Sequence, residues 1–127
     1  MPILHVKALP QKDPTKINHA LKKTCLAIAE CYKCDPHQVW ATWEEIQPGW
    51  YVEGDKDFNV QPKETHPPIA QLTCFEGSTD EQIEEILKVA SSTLSESLGL
   101  GDNIFMTYHE AKSGQVVAGN GIVRKKS

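Results

Sequence analysis

The chain has almost no arginine. Of its 13 basic side chains, Arg124 alone is an arginine and the rest are lysines. A planar, two-pronged clamp on a carboxylate is therefore hard to assemble from most of this chain. Long apolar runs are missing too, so no segment reads as a membrane span. Met1 to Leu9 is too short and too polar for a secretory leader. No basic block exists apart from Lys125-Lys126, and the net charge is −4, which argues against nucleic acid as a partner. These absences set the expectation of a cytoplasmic protein. Without a leader, the four cysteines (Cys25, Cys31, Cys34, Cys74) read as free thiols. Cys31-x2-Cys34-x2-His37 is only half of a ligand set and no second CxxC follows, so no metal and no cofactor is expected. A length of 127 residues, 39% of them hydrophobic and 24% charged, suits one soluble domain with a real core.

What is present is a repeat that opens on proline. Pro2-Ile3 is echoed by Pro68-Ile69, and Val6, Leu9, Ile17 and Leu21 by Leu72, Phe75, Ile83 and Leu87. After a one-residue slip, Thr42-Trp43-Glu44-Glu45 aligns with Thr107-Tyr108-His109-Glu110. Gly49 aligns with Gly114, and Gly54 with Gly119. Matching types in the same order twice indicate duplication within a single domain. Repeat 1 spans about 2–54 and repeat 2 about 68–124. Asp55 to Pro67, polar and proline-bearing, is expected to join them as a loop.

Each copy reads strand, helix, strand. Ile3 to Leu9 is apolar and β-branched. Asp13 is the expected N-cap, with Pro14 opening a helix whose apolar positions run Ile17, Ala20, Leu21, Thr24, Ile28 and Tyr32. Asp35-Pro36 closes the helical region, and Val39 to Ile46 is the next strand. In the second copy Thr79 and Gln82 form a capping box. Ile83, Ile86, Leu87, Ala90, Leu94 and Leu98 make the stripe, Gly99 or Gly101 stops it, and Ile104 to Ala111 is the fourth long strand. Gly114 to Val123 should add short strands around Gly119-Asn120-Gly121. The fold class is α+β: two tandem βαβ units forming a four-stranded mixed sheet, with both helices on one face. Trp40, Trp43, Trp50 and Tyr51 are too apolar to stay wet together, which predicts an oligomer built on the other face.

The Pro2-Ile3 start, Pro68-Ile69-Ala70-Gln71-Leu72 and Glu76-Gly77-Ser78-Thr79-Asp80-Glu81-Gln82 resemble the tautomerase superfamily, typified by 4-oxalocrotonate tautomerase. Two fused units per chain resemble its longer members, such as macrophage migration inhibitory factor. The resemblance implies a homotrimer with an N-terminal proline as base near subunit boundaries. Pro2 matches that proline. Lys12 and Trp40 take the places of two substrate-binding arginines, and Tyr51 that of a hydrophobic-site phenylalanine. Phe105 and Thr107 match positions that are Tyr and Asn in the longer member, and Lys33 lies within a residue or so of its active-site lysine. The arginines are gone, and Ser78 stands where dehalogenating members carry one. Both losses count against hydrolytic dehalogenation.

The chemistry itself asks for one group that removes a proton from carbon and returns it elsewhere, with a pKa near the working pH. If Met1 is removed, Pro2 carries a free secondary amine, which titrates near neutrality and lower still beside cations in a buried place. Pro68 is an internal amide and holds no such proton. Lys12, Thr107 and Tyr108 are candidates to stabilise a dienolate oxygen, while Tyr51, Trp40 and Phe105 would wall the pocket. Plainer readings stand beside these. Pro2 starts a strand in any case, Lys12 is a lysine beside a turn, and the aromatics serve a core or an interface equally well. His109 and Glu110 are strand neighbours facing opposite ways and do not form an acid–base pair. The expected function is a tautomerase acting on a small enol or 2-keto acid. The alternatives are a non-catalytic trimeric scaffold of the same fold, or a hydratase, decarboxylase or dehalogenase of the superfamily.

Overall fold

A computed structural model describes residues 2–61 and 67–125. Its centre is a four-stranded sheet made of β1 (Ile3–Ala8), β2 (Trp40–Glu45), β5 (Ile69–Phe75) and β6 (Phe105–Ala111), in the order β2-β1-β5-β6. β1 and β2 are parallel, as are β5 and β6, and β1 meets β5 antiparallel. The first strands of the two repeats therefore lie side by side at the centre and run in opposite directions. Helices α1 (Lys16–Tyr32) and α2 (Asp80–Leu98) pack on each other over one face of this sheet. No described helix is long and apolar enough to cross a membrane.

Alternation places the core. Leu4, Val6 and Ala8 of β1 are buried, as are Ala70, Leu72 and Cys74 of β5, whereas His5, Lys7 and Gln71 are exposed on the opposite face. From above, α1 contributes Ala20, Thr24 and Ile28, and α2 contributes Ile86, Ala90, Leu94 and Leu98, each set at four-residue spacing. Thr24 brings a hydroxyl into the core, satisfied by donating to Ala20 O at 2.7 Å. The duplication is visible in the register, since Ile3 faces Trp40 as Ile69 faces Phe105. Trp40 N–H donates to Pro2 O at 3.1 Å, and Phe105 N–H donates to Pro68 O at 3.0 Å.

Several expectations are corrected. Helix α1 begins at Lys16, not at Pro14, and its cap residue Thr15 makes no side-chain cap bond. Asp13 instead folds the approach, accepting from Thr15 N at 3.1 Å and Thr15 Oγ1 at 2.5 Å. The Asp55–Pro67 connection is not all loop, because Gly54-Asp55 turns a hairpin between β3 (Val52–Glu53) and β4 (Lys56–Asp57). Its counterpart in repeat 2 pairs β7 (Val116–Val117) with β8 (Val123–Arg124). There the left-handed glycine of the turn is Gly121 at φ 79°, and Gly119 is not left-handed. Trp43 packs under the helices against the core, so it does not share the outer face with Trp40. The cause is the strand period of two, which sends Ala41 and Trp43 one way and Trp40 and Thr42 the other. Residues 62–66, part of the expected loop, lie outside the described residues.

The Thr79–Gln82 capping box forms as the spacing predicts. Gln82 N–H donates to Thr79 Oγ1 at 3.2 Å, and Thr79 N–H donates to Gln82 Oε1 at 2.9 Å. Thr79→Ala is therefore expected to lower unfolding free energy by about 1 kcal/mol. A shifted urea midpoint at unchanged slope would show this, and an unshifted midpoint would mean the helix start is held by packing alone.

Candidate active site

Pro2 leads into β1 on the side that carries Leu4 and Val6, and its side chain is fully buried. Ile3 faces Thr73 across the antiparallel pair, so one step further along Pro2 comes against Cys74, which is also buried. Three elements converge on that corner. The Tyr108 hydroxyl of β6 stands near Cys74 and near Ser78 in the β5–α2 connection, and Tyr32 from the end of α1 stands near Cys74. Burial, with the Cys74 thiol adding to it, pushes the Tyr108 hydroxyl up to about 12. It thus remains a neutral hydrogen-bond donor through the physiological range. Burial and then Cys74 also raise Tyr32, and burial raises the Cys74 thiol. The Cys74 thiol beside Pro2 is therefore held in its protonated, poorly nucleophilic form.

Beside this corner, the end of α1 and the start of α2 enclose a groove of about 710 Å³ whose lining includes Glu30, Tyr32, Lys33, Ser78, Gln82 and Glu85. Lys33 ends α1 in the left-handed region at φ 59°, the one described non-glycine residue there. Cys34 N–H folds back to Ala29 O at 3.0 Å and closes the turn. A lysine in this conformation costs roughly 1 kcal/mol relative to glycine. Lys33→Gly is accordingly expected to raise stability by about that amount while removing the ammonium from the groove. A melting temperature that falls instead would show that the lysine stem packs there and matters more than the backbone.

The remaining candidates are dispersed. Lys12 lines a different groove at the opposite end of the sheet. Trp40 and Phe105, 55% and 47% exposed, stand at diagonal corners of the sheet face that the helices leave open. Thr107 lies on that face, its Oγ1 paired with His109 Nε2 at 3.0 Å, and His5 Nδ1 pairs likewise with Thr42 Oγ1 at 2.5 Å. Tyr51 belongs to the β3–β4 hairpin, where its hydroxyl donates to Glu53 Oε2 at 2.8 Å and its ring meets Phe58. One chain thus sets Pro2 and Tyr108 on either side of Cys74, with the Lys33 groove adjoining through Tyr32 and Ser78, while Lys12 lies at the opposite end of the sheet, Tyr51 in the hairpin, and Phe105 and Thr107 on the open face. Trp40 is tied to Pro2 through its backbone but projects to the other face. Cys31, Cys34 and His37 do not converge. Among the described residues no three His, Cys, Asp or Glu side chains are grouped to hold a metal ion. Cys74, against Pro2, and Tyr32, near Cys74, are the residues of this corner that sequence reasoning misses. Their signal was the duplication, because repeats paired antiparallel set the start of one first strand against the end of the other.

No family model and no curated protein sequence matches the chain. Solved structures do. Native fused 4-OT superposes with a TM-score of 0.81 at 15% identity, covering 95% of this chain and 94% of that one. Pt0534 inactivated by 2-oxo-3-pentynoate gives 0.74 at 15%, covering 96% and 94%. Malonate semialdehyde decarboxylase gives 0.70 at 16%, covering 94% and 92%. The duplicated βαβ unit, the antiparallel junction of its two copies and these superpositions agree, and the fold of this chain is the two-repeat fold of fused 4-OT, Pt0534 and malonate semialdehyde decarboxylase.

Proposed function

We propose that the chain is a cofactor-independent keto–enol tautomerase working as a homotrimer, with Pro2 as general base once Met1 is removed. The observation that carries this reading is the corner just described. It sets Pro2 at a strand end against Cys74, with the Tyr108 hydroxyl, held neutral, near the same thiol and the Lys33 groove adjoining through Tyr32 and Ser78. The substrate class is a small enol or 2-keto acid. The Pro2 amine takes the proton from the enol oxygen and returns it to carbon as the carbonyl forms. Tyr108 donates to the oxygen while it carries charge, and Lys33 holds the carboxylate. Trp40, Tyr51, Phe105 and Thr107 would reach a Pro2 site only from a neighbouring subunit, which gives assembly a catalytic purpose. The trimer is supported by the open sheet face and by the fused 4-OT structures, which are described as symmetric and asymmetric trimers.

The test is ketonisation of phenylenolpyruvate, followed by ultraviolet absorbance, using protein whose intact mass shows that Met1 is gone. Measurable turnover above the buffer rate supports the reading, and none at micromolar enzyme removes it. Within it, Lys33→Ala is expected to raise KM more than it lowers kcat, because the ammonium binds the carboxylate equally in the ground and transition states. A fall confined to kcat would instead place Lys33 on the developing oxyanion. Malonate semialdehyde decarboxylase among the similar folds keeps one second reading open, and carbon dioxide release from a 3-oxo acid would distinguish it.

A further inference from the structure

The antiparallel junction of the repeats creates a second groove that mirrors the first. At the Pro2 end, Tyr32 and Lys33 of α1 face Ser78 and Gln82. At the Pro68 end, Leu98 and Gly99 of α2 face Lys12 and Lys16 across a groove of about 670 Å³. The repeat matches these residues one for one: Tyr32 with Leu98, Lys33 with Gly99, Ser78 with Lys12, and Gln82 with Lys16. Gly99 even keeps the left-handed turn of Lys33, at φ 72°. The chemistry has been exchanged between the copies. The first groove sets one lysine against Glu30 and Glu85. The second sets two lysines around Asp13, whose Oδ1 accepts from Thr15 N and Oγ1 and whose charge partly offsets that of Lys16.

The second groove is also formed in advance. Gln11 Nε2 donates to Leu9 O at 2.9 Å and to Gln61 Oε1 at 3.2 Å, while Gln61 Nε2 donates to Pro67 O. These bonds fasten the chain after β1 to the chain before β5 and hold the rim in place. Opposite the lysines, Leu98 and Leu100 supply an aliphatic wall. Among the described residues neither Lys12 nor Lys16 comes within ion-pair distance of a carboxylate, although Lys16 is close enough to lower the Asp13 carboxyl. The base that would act here is absent, because the nitrogen of Pro68 is an amide.

We propose that the groove at the Pro68 end is a second, non-catalytic site that binds a small organic carboxylate carrying an apolar tail. The two ammonium groups take the carboxylate, and the leucines take the tail. The proposal does not depend on Pro2 being a base. The full-length protein, 15N-labelled, is titrated with 3-phenylpropanoate, which cannot enolise, and in parallel with uncharged 3-phenylpropanamide. The expected result is a saturable set of amide shifts at Gln11, Lys16, Gly99 and Leu100 with the acid and not with the amide. Lys12→Gln/Lys16→Gln should weaken that binding about tenfold, the worth of two exposed ion pairs. Shifts confined to Lys33, Ser78 and Gln82, shifts at neither end, or equal binding by the amide or by the double variant would each overturn it. Because the readout is position along the chain and not turnover, a catalytically silent Pro2 leaves this test intact.

Discussion

Protein that keeps Met1 is expected to turn over an enol acid roughly 10²- to 10⁴-fold more slowly than protein that begins at Pro2, the range spanned by loss of a positioned general base. An acylated Pro2 nitrogen has its lone pair in the amide and cannot accept a proton at any useful pH. In the processed form the ring holds the nitrogen in one place, so little freedom is lost on binding. Pro2→Ala leaves a primary amine on a looser backbone, and its activity should lie between the two. Pro68→Ala should leave turnover nearly unchanged and show itself in stability, since Pro68 is fully buried. Activity of the processed form should rise with pH as the amine loses its proton. Tyr108 will not curtail that rise near neutrality, because its hydroxyl titrates only at about 12. Stopped-flow ketonisation of the three variants beside the processed protein checks the whole set. If the Met1-blocked form matches the processed one, Pro2 is not the base, and a trimeric scaffold becomes the better account of the fold.

Replacing Trp40 and Phe105 together by glutamate is expected to convert the proposed assembly of three 14.1 kDa chains to single chains. Both rings project from the sheet face that the helices leave open, 55% and 47% exposed in the single chain. Covering about half of each ring is worth roughly 2–3 kcal/mol per ring at about 25 cal/mol per Å². A carboxylate in the same place adds a desolvation penalty on top of that loss. The isolated fold should survive, because the core lies on the opposite face, beneath α1 and α2. Sedimentation equilibrium then reads the mass and far-ultraviolet circular dichroism reads the fold. Turnover should fall with assembly if, as proposed, Trp40, Phe105 and Thr107 reach a Pro2 site from a neighbouring subunit. A double variant that stays trimeric would move the interface off this face. The exposed Trp50 and the β3–β4 hairpin would be the next surface to test.

Residues close in sequence decided a great deal of this protein. The capping box at Thr79 and Gln82, the glycine stop at Gly99 and the four-residue apolar stripes are local chemistry, legible without coordinates. The strand period of two was equally legible in Leu4-x-Val6 and Ala70-x-Leu72-x-Cys74. So was the duplication, because both copies repeat the same sequence of local choices. Its asymmetry was legible as well: a terminal amine can exist only at Pro2. What the local pattern could not carry was the direction in which the two copies meet. Nothing in either repeat states that β1 and β5 pair antiparallel. That arrangement comes from two distant segments burying their apolar edges together under a shared pair of helices. The tertiary structure thereby put Cys74 against Pro2 with Tyr108 near that thiol, sent Lys12 to the far end of the sheet, and turned Trp43 inward while leaving Trp40 outside. Periodicity determines which side of a strand a residue occupies, whereas pairing direction, a long-range outcome of burial, determines what it faces.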